Sequence, residues 1–90
     1  MPVYVDAPIN PFGRMMMCHM IADTLPELHA MADKIGIQRK WFQNKSSVPH
    51  YDICKSKRSA ALRHGAIEID RQQTADLIRK LRRPLQSAKN

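Results

Sequence analysis

The chain divides into segments by the spacing of its apolar residues. Val3-Tyr4-Val5 is a short β-prone run, and Pro8, Pro11 and Gly13 turn the following stretch into a loop. Residues 15–22, MMMCHMIA, form an apolar run broken only by His19, which reads as a buried strand. The next signal is a capping box at Thr24-Leu25-Pro26-Glu27. Behind it Leu28, Met31, Ala32 and Ile35 recur at the spacing of one helical face, and Gly36 supplies a left-handed stop. From Ile37 to Phe42 the side chains alternate as in a strand. A polar loop follows and carries Pro49-His50-Tyr51-Asp52. A helix starts near residues 54–56 and stops at Gly65. Ala66–Asp70 reads as a strand with Ile67 and Ile69 on its buried side. Asp70 and Gln73 cap a last helix whose stripe is Thr74, Leu77, Ile78 and Leu81, ended by Pro84.

The resulting order is strand, strand, helix, strand, helix, strand, helix. It predicts an α/β domain with a small mixed, partly parallel sheet of about four strands and three helices. About eight residues join the first two strands, too few for a parallel crossover, so that pair is expected to be antiparallel. Residues 1–83 are assigned to one domain and 84–90 to a polar, basic tail. Ninety residues allow a single modest core. The exposed edges of such a sheet lead us to expect a homo-oligomer, most simply a two-fold dimer.

Composition changes this picture in two respects. Fifteen Lys and Arg against eight Asp and Glu give a net charge of +7, which favours phosphorylated ligands or polyanions and equally describes a merely basic surface. Two distant cysteines, Cys18 and Cys54, without a pairing or zinc-finger spacing, fit free thiols and a cytoplasmic setting. The sequence has no apolar run of membrane-spanning length, and its N-terminus lacks a signal-peptide pattern. Walker, dinucleotide-binding, zincin and nucleophile-elbow motifs are missing as well, so no cofactor is named.

The densest polar cluster is His50-Tyr51-Asp52 with Lys55, Lys57 and Arg58. Three cations in the first turn of a helix oppose its macrodipole, an arrangement suited to an anion bound there. Asp52 as a simple cap with solvated cations explains the same residues. On the anion reading Lys57 and Arg58 hold a phosphate, His50, Tyr51 and Gln43 orient the ligand, and Trp41 stacks on a base. The enzyme alternative is a metal-dependent phosphodiesterase or nuclease with Asp6, His50 and Asp52 on a divalent cation. A third alternative is a nucleic-acid-binding accessory protein that uses the basic last helix, where helix-end charge complementarity already accounts for the cations. His19, interrupting an apolar strand, is either a hydrogen-bonded half-buried histidine or a site imidazole.

At these residues the chain resembles the short phage and bacterial proteins grouped as domain of unknown function 4031. The resemblance rests on Val3-Tyr4-Val5-Asp6, Cys18-His19-Met20, Ala22-Asp23-Thr24 and Glu27-Leu28-His29. It continues through Trp41-Phe42-Gln43, Pro49-His50-Tyr51-Asp52, Lys57-Arg58 and Gly65-Ala66. It implies that Asp6, His19, Asp23, Trp41, Gln43, His50, Tyr51, Asp52, Lys57 and Arg58 belong to the family pattern, and it brings no assigned reaction.

Overall fold

The computed structural model describes residues 2–7, 10–12, 15–43 and 48–81. The strands are β1 (Val3–Val5), β2 (Asn10–Phe12), β3 (Met15–Ala22), β4 (Phe42–Gln43), β5 (His50–Cys54) and β6 (Ile67–Glu68). The helices are α1 (Leu25–Lys34), α2 (Lys55–Arg63) and α3 (Arg71–Leu81). The sheet runs β4-β5-β3-β1-β6, and β2 pairs with β3 as a hairpin off this path. β1 and β3 are antiparallel, as the short connection requires, and β1 and β6 form the one parallel pair among the described residues. The domain is therefore α/β with a mixed sheet and three helices. The connections through α1 and α2 each carry the chain to a strand that is not a neighbour of the one it left.

Both glycine stops form as the local chemistry dictates. Gly36 takes φ +80° and its N–H bonds to the Asp33 carbonyl, while Ile37 N–H reaches the Ala32 carbonyl at 2.8 Å. Gly65 (φ +99°) repeats the pattern, with Ala66 N–H on the Ala61 carbonyl at 2.9 Å. These are Schellman closures, which satisfy the last helical carbonyls. The Thr24 hydroxyl accepts from Glu27 N–H and donates to the Glu27 carboxylate. Asp70 and Gln73 cap α3 reciprocally, at 2.7 and 2.9 Å.

The core lies between the sheet and helices α1 and α2. Val3, Val5, Cys18, Met20, Tyr51 and Ile53 contribute from the strands, and Leu28, Met31, Ala32, Ile35 and Ala61 from the helices. Each fully buried large side chain contributes about 1.5–3 kcal/mol. Strand alternation turns Tyr4, Met17, His19, Ile21, His50 and Asp52 to the reverse face of the sheet.

Four expectations change. Residues 10–12, read as loop, form a strand on β3. The alternation over 37–42 yields only Phe42–Gln43 as strand, because Arg39–Trp41 close a 3-10 turn with Trp41 N–H on the Gln38 carbonyl. His50–Cys54, read as part of a polar loop and the start of a helix, is a five-residue strand hydrogen-bonded on both sides. Ile67 is 47% exposed rather than buried, since its pairing with Tyr4 turns it away from the core. The tail 84–90 lies outside the described residues. Among the described residues no helix is long and apolar enough to cross a membrane.

Candidate metal centre

The register of β3 against β5 sets His19 directly opposite Asp52 on the reverse face. His50 is two residues before Asp52 on the same strand, so it shares that face. His50 Nε2 lies 3.4 Å and His19 Nε2 3.8 Å from the same Asp52 oxygen. One donor atom from each of the three residues falls within 4.8 Å of the others. The imidazoles meet edge to face, with centroids 5.2 Å apart.

What lies behind the two rings defines which nitrogen faces the cluster. His19 Nδ1 is 2.7 Å from one oxygen of Asp6, and His19 N–H donates to the other at 2.6 Å. His50 Nδ1 is 2.9 Å from the Val48 carbonyl. A carboxylate and a carbonyl only accept, so each Nδ1 carries the proton, and a neutral ring then presents the Nε2 lone pair to the cluster. This is how metal-ligating histidines are held, by an acceptor on the distal nitrogen. The hydrogen bond to Asp6 raises the His19 pKa, burial opposes it, and the Asp6 and Asp52 charges add to the rise. The cluster reaches solvent: the His19 side chain is 34% and the Asp52 side chain 45% exposed.

The other candidate residues are distributed differently. Tyr51 points to the opposite face from His50, is fully buried, and shares a 2.8 Å hydrogen bond with His29 Nδ1. His29 of α1 therefore completes a core contact. Lys57 and Arg58 belong to α2 on the core side of the sheet. Lys57 Nζ donates to the Ile35 carbonyl at the end of α1, at 2.8 Å. Arg58 donates to the Asp6 carbonyl at 2.8 Å and to Glu68 at 2.7 Å. Those cations neutralise a helix C-terminus and a carboxylate of the protein itself, and they lie on the opposite face of the sheet from His50. Gln43 is the cross-strand partner of His50 and shares its face, exposed. Trp41, 57% exposed, precedes it, with Lys40 Nζ 5.3 Å from the ring centroid. Of the metal candidates, His50 and Asp52 lie side by side, while Asp6 stands one layer behind, hydrogen-bonded to His19. The histidine in an apolar strand was the available signal for His19, but its partner could be found only through strand register.

The two thiols are free and differ in environment. Burial pushes the Cys18 thiol up to about 12, with the Asp6 charge adding to the rise. Cys54 is lowered, chiefly by the Ser56 hydroxyl 3.2 Å away and further by backbone N–H groups at the start of α2. Thiolate reactivity follows pKa and exposure. Iodoacetamide at neutral pH is therefore expected to alkylate Cys54 in the folded protein and Cys18 only after denaturation, as read by peptide mass spectrometry. Equal labelling of both in the folded state would contradict this.

A small α/β domain with a histidine–carboxylate cluster on the face of its sheet opposite the core defines the class. Residues 3–81 match the family described as Protein of unknown function (DUF4031), and the chain belongs to that family. No curated protein and no solved structure matches it.

Proposed function

We propose that the chain is a metal-binding domain that holds one divalent transition-metal ion on His19, His50 and Asp52 and presents it to a phosphate-bearing ligand. The observation that carries this reading is the pair of imidazoles whose distal nitrogens are held by acceptors while both Nε2 atoms converge on one carboxylate oxygen. Donors on a tetrahedral ion with bonds of about 2.0–2.2 Å lie about 3.3–3.6 Å apart, against 3.4 and 3.8 Å for the two pairs that involve Asp52. Two imidazoles and a carboxylate suit zinc or ferrous iron. Three donors rising from one sheet face occupy one side of the coordination shell. One position of a tetrahedron, or three of an octahedron, then face outward. A metal held there would supply Lewis acidity for phosphoryl chemistry, so the phosphodiesterase reading rests on this cluster, with His19 in the place first given to Asp6.

Trp41 favours a nucleotide over inorganic phosphate as the ligand. An exposed indole adjoining the strand that pairs with His50 offers a stacking face, and every base has a π-face to place on it. Purified protein titrated with Zn²⁺, Mn²⁺ and Fe²⁺ in a calorimeter is expected to take up one ion per chain. Trp41 is the single tryptophan. Its fluorescence is expected to respond to a nucleoside monophosphate and not to phosphate alone, and the metal-loaded protein should cleave bis(p-nitrophenyl) phosphate. Failure to bind any of the three ions refutes the metal reading. Binding without cleavage leaves a binding protein and removes the enzyme.

A further inference from the structure

Asp6 has every polar group engaged, and its engagements come from both sides of the sheet. Its N–H bonds to the His19 carbonyl at 3.2 Å, and its carboxylate takes two hydrogen bonds from His19 on the reverse face. Its carbonyl accepts from Arg58 Nε at 2.8 Å, and Arg58 belongs to a helix on the core side. The same guanidinium donates to Glu68 on β6, the strand parallel to β1. The Arg58 side chain is 14% exposed and that of Glu68 65%, so the prong on Asp6 is shielded from water and the prong on Glu68 meets it.

Asp6 is the first residue beyond β1: its N–H still pairs with the His19 carbonyl, while its own carbonyl is taken by Arg58. A rigid guanidinium fork with one prong on the Asp6 carbonyl and the other on β6 fixes the peptide plane that follows Asp6. That plane sets ψ of Asp6, and with the Asp6 N–H held by the His19 carbonyl it fixes the residue from which the carboxylate reaches His19 Nδ1. We propose that Arg58 is a positioning residue for the metal centre, acting through the sheet by holding Asp6 and, through Asp6, the His19 ring. The inference rests on His19 being a metal ligand for its functional meaning, but the coupling of Arg58 to His19 is testable without metal.

The test compares Arg58→Met with Glu68→Gln, whose amide oxygen still accepts from Arg58, so that both prongs stay and only the Glu68 charge is lost. Zn²⁺ affinity is expected to fall about tenfold in Arg58→Met, the low end of the loss for outer-shell partners of metal ligands, and to stay unchanged in Glu68→Gln. The visible spectrum of the Co²⁺-loaded protein should shift in Arg58→Met only, a change that a purely structural role for Arg58 would not produce. In metal-free protein, amide hydrogen exchange at His19 should speed up in Arg58→Met while Met20 and Tyr51 keep wild-type rates, which separates local release from general destabilisation. Should Arg58→Met fail to fold, Arg58→Lys, which retains one donor, is read the same way. Wild-type affinity and spectrum in the variant, or unchanged exchange at His19, overturn the proposal. If the wild-type chain binds no metal, the metal reading falls, and the exchange rates alone decide whether Arg58 positions Asp6 and His19.

Discussion

Replacing His50 or Asp52 by alanine is expected to abolish tight binding of Zn²⁺, with a larger loss than any outer change in the centre. Each removes one of three donors, and the two that remain, 3.4 or 3.8 Å apart in the pairs that involve Asp52, cannot enclose an ion. Asp6→Asn keeps the shape but weakens the grip on His19 Nδ1, and should cost about 10–100-fold in affinity. The order of effects, ligand variants beyond Asp6→Asn and Asp6→Asn beyond wild type, is the result to look for by calorimetry. Equal affinities across the series would remove the centre.

The pH dependence has a sign that follows from His19. A ligand nitrogen must be unprotonated, and the hydrogen bond to Asp6 raises the His19 pKa above its ordinary 6.5. Metal affinity should therefore climb as pH rises through that raised value. The metal-free protein responds in the opposite sense. A raised folded-state pKa contributes stability that is fully present below about 6.5 and is lost as pH rises through the folded value. Thermal melts of the metal-free chain across this window are expected to show His19→Gln flattening the profile.

Tyr51→Ala is expected to be the most damaging change to the fold, while Tyr51→Phe is mild. Tyr51 is among the fully buried side chains of the core and packs its ring against Phe42 at 5.5 Å and His29 at 5.9 Å. Emptying that volume should cost about 3–5 kcal/mol, as aromatic-to-alanine changes do. For a domain of this size each kcal/mol shifts the melting temperature by about 4–8 °C. Tyr51→Phe removes only the hydroxyl that meets His29, a loss of about 1 kcal/mol. Because Tyr51 faces away from the His19–His50–Asp52 cluster, Tyr51→Phe should leave Zn²⁺ affinity unchanged. A loss of affinity in that variant would return Tyr51 to the ligand-binding role that its place beside His50 in the sequence suggested.

What the sequence by itself determined is local. Thr24 and Glu27, Asp70 and Gln73, and the glycines at 36 and 65 act on backbone groups at most four residues away, so their helix ends were readable without a fold. The face made by Leu28, Met31, Ala32 and Ile35 was readable for the same reason, since helical periodicity depends only on spacing. The strand at His50–Cys54 was obscured because Pro49 and the polar residues His50 and Asp52 mimic a loop, although Tyr51 and Ile53 alternate with them as a half-buried strand requires. Lys57 and Arg58 looked like an anion site because their partners, the Ile35 and Asp6 carbonyls, are 22 and 52 residues distant in the chain. The meeting of His19 with His50 and Asp52 belongs to the tertiary structure. His19 and Asp52 meet because β3 and β5 pair in one register, and a slip of one residue would send His19 to the other face from Asp52. That register is enforced by Cys18, Met20, Tyr51 and Ile53 on the core face, so burial on one side of the sheet decides which polar groups meet on the other.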